Sequence, residues 1–110
     1  MFGIIIVEDM SLVSSLLNKE SVRNQNMIDE YEKELVSLPK GSIKMKVIGH
    51  NSYYYLNYRD GKKVVSKYIG KDEESVNLVR EQLAKRHHIE LMLKQLKQEQ
   101  QQIKKLEAML

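Results

Sequence analysis

Hydrophobic and polar residues follow three patterns along the 110-residue chain. Over residues 9–38 the apolar positions recur every three or four residues, which is typical of one face of an α-helix. Over residues 42–70 apolar and polar residues alternate, as in strands with one buried face. Over residues 72–110 the helical spacing returns without a proline or glycine. The pattern predicts a single α+β domain: a long helix, a three-stranded antiparallel sheet and a second long helix, with the helices packed as an antiparallel coiled-coil-like stalk.

The first predicted helix carries one apolar stripe with polar interruptions at Ser21 and Asn24. Pro39 disfavours the α conformation of the residue before it and predicts the end of the helix. The run Ile4–Val7 is either a short edge strand or an apolar anchor, and the sequence leaves both open. The apolar members of the stripe are Leu17, Ile28, Tyr31, Leu35 and Leu38, and it is widened by Leu12, Leu16 and Met27.

The second predicted helix begins with Asp72 as its N-cap, because a carboxylate there accepts hydrogen bonds from the first free N–H groups. Val76, Val79, Leu83 and His87 are expected to cover the sheet. Further along, a heptad stripe predicts a partner helix, supplied either by the first helix or by a second copy of the chain. The stripe runs through Ile89, Met92, Leu96, Glu99, Ile103, Leu106 and Leu110, with Leu93 beside it, and all seven but Glu99 are predicted oligomerisation residues.

Two short turns set the predicted register of the sheet. The dipeptide Asp60-Gly61 is typical of a two-residue hairpin turn, and His50-Asn51 is taken to close the first hairpin. These turns place Tyr58 opposite Lys63 and Ile43 opposite Tyr58.

Because side chains alternate across a strand, this register divides the sheet into two faces. A one-residue slip would bury two lysines of the first strand, which favours the same division. One face is predicted to be core and contains Ile43, Met45, Val47, Tyr54, Leu56, Tyr58 and Val65. The other face contains Lys44, Lys46, Ile48, Tyr53, Tyr55, Asn57, Arg59, Lys62, Val64, Ser66 and Tyr68.

Charge is segregated along the chain. Between Lys40 and Lys71 eight basic residues stand against Asp60 alone, a net charge of +7, while the rest carries ten basic and fourteen acidic residues, a net charge of −4. A basic sheet between acidic flanks indicates a polyanionic or acidic partner. Lysines would neutralise phosphates and tyrosines would stack on bases or pack along the backbone. The candidate nucleic-acid-binding residues are Lys44, Lys46, Tyr53, Tyr55, Arg59, Lys62, Ser66 and Tyr68.

The residues offer little support for catalysis, a metal site or a cofactor. The chain has no cysteine. Adjacent helical residues point about 100° apart, so His87 and His88 cannot easily share one ion, and His50 is most simply a turn residue. No Gly-rich phosphate loop and no nucleophile motif occurs. The amino terminus has only a short apolar run followed by acids. We therefore expect a cytoplasmic, non-enzymatic protein without a membrane span.

The segments `LPKGS` and `YYYLNYRDGKKVVSKYIGK` resemble a group of short prokaryotic and phage proteins. Those proteins combine a Pro-Lys/Arg-Gly-Ser segment, a Tyr-rich hairpin and a Ser-Lys-Tyr-Ile-Gly segment inside a helix–sheet–helix frame. The resemblance covers about residues 38–71 and implies the fold without implying an activity. In topology alone, three strands followed by a helix is similar to the arm-type DNA-binding domain of phage integrases.

Three functions remain open. The favoured one is a small nucleic-acid-binding protein of a phage or mobile element, acting through the basic-aromatic sheet face. The alternative is an inhibitor directed at a host nucleic-acid-processing protein, in the manner of an anti-CRISPR protein. The third is a coiled-coil assembly module. A solvated face is the simplest competing explanation of the lysines and tyrosines, since tyrosine favours strands and lysine protects exposed strands from aggregation.

Overall fold

A computed structural model describes residues 2–110, with side chains from Ser11 onward. It confirms the predicted α+β fold, in which one helix precedes and another follows an antiparallel sheet of strand order β1-β2-β3. The elements are α1 (Phe2–Val36), β1 (Ser42–Ile48), β2 (Asn51–Asp60), β3 (Lys63–Gly70) and α2 (Glu73–Met109).

Helix α1 begins before the predicted start at Asp9 and includes Ile4–Val7, so the edge strand is not formed there. The anchor alternative concerns side chains that lie outside the described residues. The other end of α1 is capped from α2: Arg86 Nη1 donates to the carbonyl oxygens of Leu35 and Leu38, each at 3.0 Å. Leu35 lies in the last turn of α1, so one of the terminal carbonyls of the helix gains a charged donor, and the second bond holds Leu38, two residues beyond the helix.

The chain forms two compact units. The first combines residues 1–34 with 91–110 and is a helical hairpin, and the second comprises residues 35–90, which contain the sheet and the first part of α2.

Within the hairpin unit the two helices run antiparallel. Asn24 Nδ2 donates to the carbonyl oxygen of Leu96 at 3.1 Å, and Gln100 Nε2 donates to Ser21 Oγ at 3.0 Å. The later residue of α2 (Gln100) contacts the earlier residue of α1 (Ser21), so the two helices run in opposite directions. Ile28, Leu93, Leu96 and Ile103 form the buried apolar core of this unit.

The predicted stripe of α1 is confirmed in part: Ile28 is buried and Leu17, Tyr31 and Leu35 are half-buried, but Leu38 lies beyond the helix and Leu12 and Leu16 are exposed. The predicted stripe of α2 is also partly wrong. Ile89, Leu96 and Ile103 are buried as predicted, and between them the buried positions are Leu93 and Gln100 instead of Met92 and Glu99. Both sets have helical spacing, and α1 selects the second because Ser21 offers a hydrogen-bond acceptor to Gln100. Leu106 and Leu110 are exposed.

The predicted pairing of the strands is wrong by two residues in both hairpins. Tyr58 lies opposite Val65 instead of Lys63, and Ile43 lies opposite Leu56 instead of Tyr58. The turns are Gly49-His50 and Gly61-Lys62, and each glycine has a φ of +64°.

Turn geometry explains this shift. A type I′ turn with Asp60 and Gly61 at its centre would require positive φ at both residues. The chain instead places glycine at the first central position, and neither His50 nor Lys62 has a positive φ. That is the pattern of a type II′ turn, in which only the first central residue needs the left-handed region.

The pairing of β2 with β3 also changes register between Tyr54 and Tyr55, where Tyr55 lies opposite Tyr68 and Tyr54 opposite Gly70. A shift of two residues elsewhere leaves the strand side chains on their predicted faces, since side chains alternate with a period of two. Leu56 is buried, and it lines a groove in the same unit with Leu78 and Val79 of α2. The prediction of a continuous core face is nevertheless wrong on β1, where Met45 is 55% and Val47 is 63% exposed.

The predicted cover of the sheet by α2 is also only partly correct. Val76 is buried and Val79 and Leu83 are half-buried, but His87 is exposed. Asp72 is the N-cap as predicted: its Oδ2 accepts from the backbone N–H of Ser75 at 3.1 Å and from the Ser75 hydroxyl at 2.9 Å.

Candidate nucleic-acid interface

The basic and aromatic side chains of the sheet form two neighbouring rows across the strands. In the first row Lys44 pairs with Tyr55, and Tyr55 pairs with Tyr68. In the second row Lys46 pairs with Tyr53. Because paired residues share a face and side chains alternate along a strand, seven of the eight predicted site residues, all but Lys62, lie on the face opposite Leu56, and five of them stand in these two rows.

The three tyrosines of these rows form one cluster. The ring centroids of Tyr55 and Tyr68 lie 5.4 Å apart with an interplanar angle of 57°, and those of Tyr53 and Tyr68 lie 6.4 Å apart at 48°. Tilted pairs at this spacing are favourable because the edge of one ring meets the face of another. Tyr68 is the most exposed of the three and joins the other two.

Lys46 holds its ammonium group over the aromatic cluster. Its Nζ lies 4.9 Å from the centroid of the Tyr55 ring, within the range of a cation–π interaction. One face of Tyr55 is therefore occupied by a cation, whereas Tyr68 offers more free ring surface. Lys44 and Lys46 are both exposed, so their charges remain available to a ligand.

A shallow depression of about 360 Å³ lies beside the cluster, where β1 begins. Lys44 and Arg59 both line it, together with Gly41 and Asn57. Two cations on one concave surface suit an anionic group such as a phosphate. Sequence reasoning missed Gly41 as part of the site; the Pro-Lys-Gly-Ser segment was the available signal.

Two further predicted residues have different roles. The Ser66 hydroxyl donates to Asn57 Oδ1 at 2.7 Å across β2 and β3, so it orients Asn57 at the edge of the depression. Lys62 lies in the turn between β2 and β3 instead of on a strand, so its predicted place on this face is wrong. The shifted turn is the reason, because it moves Lys62 out of the alternation.

Comparison with known proteins identifies the family but not an activity. Residues 17–78 match the family described as a domain of unknown function (DUF6788). This is 62 of the 110 residues, and it spans the sheet with parts of both helices. The chain belongs to this family. No curated protein and no solved structure matches it. Within the part of the chain that the structure describes, no helix has a stretch both long and apolar enough to cross a membrane.

Proposed function

We propose that this protein binds nucleic acid through the basic-aromatic face of its sheet. The observation that carries the proposal is the position of Lys44, which lines the depression with Arg59 and pairs with Tyr55 of the tyrosine cluster. A concave basic surface and a set of rings thus adjoin each other. This is the combination that nucleic-acid-binding surfaces use.

The two parts would contact different parts of the ligand. Lys44 and Arg59 would contact backbone phosphates, and Lys46 would add a third charge above the Tyr55 ring. Tyr68, the most exposed ring, is the best placed to stack on a base. A role limited to keeping the strand soluble explains exposed lysines, but it does not require a second cation at the same depression.

The test is a titration of labelled duplex and single-stranded oligonucleotides at two salt concentrations. We expect affinity to fall steeply with salt, with about one unit of slope for each neutralised phosphate. The double variant Lys44→Glu/Lys46→Glu should lose binding. Its matched control is Lys63→Glu/Lys67→Glu, which makes the same change in charge on exposed residues of the opposite face of the sheet. The control should retain most of the affinity.

Two results would overturn the proposal. One is absence of binding to either oligonucleotide at low salt, and the other is equal loss of binding in the two double variants, which would indicate a response to net charge alone. In the first case, capture of a nucleic-acid-processing protein that persists after nuclease treatment would favour a protein-directed inhibitor.

A further inference from the structure

The two long sides of the helical hairpin differ in chemistry. On one side an ion pair crosses from α2 to α1, with Lys97 Nζ 3.1 Å from Glu32 Oε1. Along the same side of α1, Gln25 Nε2 donates to Asp29 Oδ1 at 3.0 Å. We call this the polar side. Its ion pair joins the two helices, and a long apolar partner would have to displace it.

The other side is an open groove of about 320 Å³, and we call it the open side. Met27, Met92 and Leu96 supply its apolar floor. At its base Asn24 is only 2% exposed, and Asn24 Oδ1 has no hydrogen-bond partner among the residues that the structure describes. The polar residues along the groove are Glu20, Arg23, Gln95 and Glu99.

Exposed leucines extend the open side toward one end of the hairpin. Leu16 precedes Glu20 by four residues and Leu106 follows Glu99 by seven, so the helical period places both on this side. Leu16 is 55% exposed and Leu106 is 48% exposed. The antiparallel direction of the helices brings them to the same end. One helical turn before Leu16, Leu12 continues the row on α1, and Leu110, directly after the end of α2, is also exposed.

We propose that the open side is the contact surface for a second copy of this chain, so that two hairpins pack face to face as four helices. Two packed helices bury only one stripe of each, and a second pair provides the missing apolar layer. This proposal is independent of nucleic-acid binding, because the surface belongs to the hairpin unit.

The charges of the rim favour a second copy over an unrelated occupant. Glu20 and Arg23 form an exposed ion pair within α1, with Arg23 Nη1 3.2 Å from Glu20 Oε1, and Glu99 is acidic, so the rim carries both signs. In a two-fold dimer the same surface of each chain contacts that of the other in the opposite direction. A surface with acidic and basic residues can therefore place opposite charges against each other across the contact. A polyanion would instead require a surface of one sign.

The burial pattern separates the residues that such a contact can use from those that it cannot. Ile89, Leu96 and Ile103 are already buried within one chain, although the sequence predicted them as oligomerisation residues. Met92 and Leu106 lie on the open side, and with Leu110 they remain accessible in part. One half of the stripe predicted from the sequence is thus buried within a single chain, and the other half remains accessible to a second chain.

Sedimentation equilibrium over a range of protein concentrations tests the proposal. The wild-type mass should rise from 12.9 kDa toward twice that value as concentration increases. The variant Leu16→Glu/Leu106→Glu should keep the mass of a single chain. The matched control is Val22→Glu, because Val22 is 53% exposed and precedes Asp29 by seven residues, which places it on the polar side. That variant should associate as the wild type does.

A wild-type chain that stays at 12.9 kDa up to millimolar concentration would overturn the proposal. Association that survives the leucine substitutions, or that is lost equally in Val22→Glu, would overturn it as well.

A second measurement does not depend on substituting leucines. The chain has no cysteine, so a single introduced cysteine takes a spin label selectively. A label at Gln95→Cys on the open side should lose mobility as protein concentration rises, whereas a label at Val22→Cys should not. Unchanged mobility at both positions in an associated sample would place the contact elsewhere and contradict the proposal.

Discussion

Gly41 packs directly against the backbone carbonyl oxygen of Asn57, with no room for a side chain between them. A Cβ at Gly41 would overlap that oxygen and would lie 2.9 Å from the Cβ of Tyr58. Gly41 also has a φ of +119°, a conformation that other residues rarely adopt. The relationship fixes where β1 begins relative to β2, and it shapes the depression that Lys44 and Arg59 line.

Replacing Gly41 by alanine should therefore destabilise the protein by at least about 1–3 kcal/mol, the cost of holding a residue in a sparsely populated backbone region. The matched control is Gly49→Ala, since Gly49 also has positive φ but a Cβ added there would meet no atom within 4 Å. Urea denaturation measures both variants, and the excess loss of stability in Gly41→Ala reports the overlap together with the less accessible φ at this position. Equal losses of stability would show that the contact with Asn57 is unimportant.

Substitution of Tyr68 should weaken nucleic-acid binding without unfolding the sheet. If a base stacks on this ring, Tyr68→Ala should cost about 1–3 kcal/mol of binding free energy, and Tyr68→Phe should retain most of it because the ring remains. The control is Tyr54→Ala on the opposite face, where Tyr54 is half-buried. That change should lower the melting temperature. Fluorescence anisotropy measures the affinity, and equal affinities of the alanine and phenylalanine variants at position 68 would exclude stacking there.

The buried α2 residues of the hairpin unit should contribute to the stability of a single chain. Leu96→Ala and Ile103→Ala each remove a buried side chain, and each should cost about 2–5 kcal/mol. Leu91→Ala is the comparison on the same helix, because Leu91 is exposed and should change stability by less than about 0.5 kcal/mol. Urea denaturation at low protein concentration measures these values. Losses at Leu96 and Ile103 no larger than that at Leu91 would mean that α1 does not cover them.

Asn24 should limit the stability of the hairpin. Its amide nitrogen donates a hydrogen bond to the carbonyl oxygen of Leu96, but its amide oxygen is buried and has no hydrogen-bond partner within the described residues. Asn24→Leu should therefore stabilise the protein by about 1–3 kcal/mol, the usual cost of a buried unpaired polar group. The midpoint of urea denaturation reports the change. A lower midpoint would show instead that the hydrogen bond to Leu96 outweighs the unpaired oxygen.

The N-cap of α2 should make stability depend on pH in the acidic range. The hydrogen bonds from the Ser75 hydroxyl and then from the Ser75 backbone N–H lower the pKa of the Asp72 carboxyl. A lowered folded-state pKa contributes stability that is fully present above the unfolded value of about 3.9 and is lost as pH falls through the folded value.

The variant Asp72→Asn isolates this effect, because asparagine caps helices about as well and does not titrate. The melting temperature of the wild type relative to this variant should be highest near neutral pH and should fall in strong acid. A difference that stays constant across this range would contradict the role of the carboxylate.

Local sequence signals determined the elements and their order. The helical spacing, the strand alternation and the Pro39 break depend on residues close together in the chain, and so does the cap at Asp72. The same alternation assigned each tyrosine and lysine of the strands to a face. A two-residue error in pairing left these assignments intact, because the period of a strand is two.

Tertiary contacts decided what periodicity cannot distinguish. The predicted and the observed register of each hairpin both satisfy the alternation of apolar and polar residues. The observed register depends on turns with glycine at the first central position and, for β1, on the close approach of Gly41 to Asn57. Met45 has the pattern of a core residue, but it is exposed. Its burial depends on whether another element covers β1, and alternation within the strand cannot supply that information.

The second helix shows the same limit. Two stripes of helical spacing share Ile89, Leu96 and Ile103, and a periodicity argument treats them alike. The apolar Met92 made one stripe look like the buried one, yet Gln100 of the other stripe is buried. Its side chain reaches the hydroxyl of Ser21, a residue 79 positions away in the chain. Only the packed helices bring these two polar groups within hydrogen-bonding distance, so only the tertiary structure could decide which stripe of α2 faces α1.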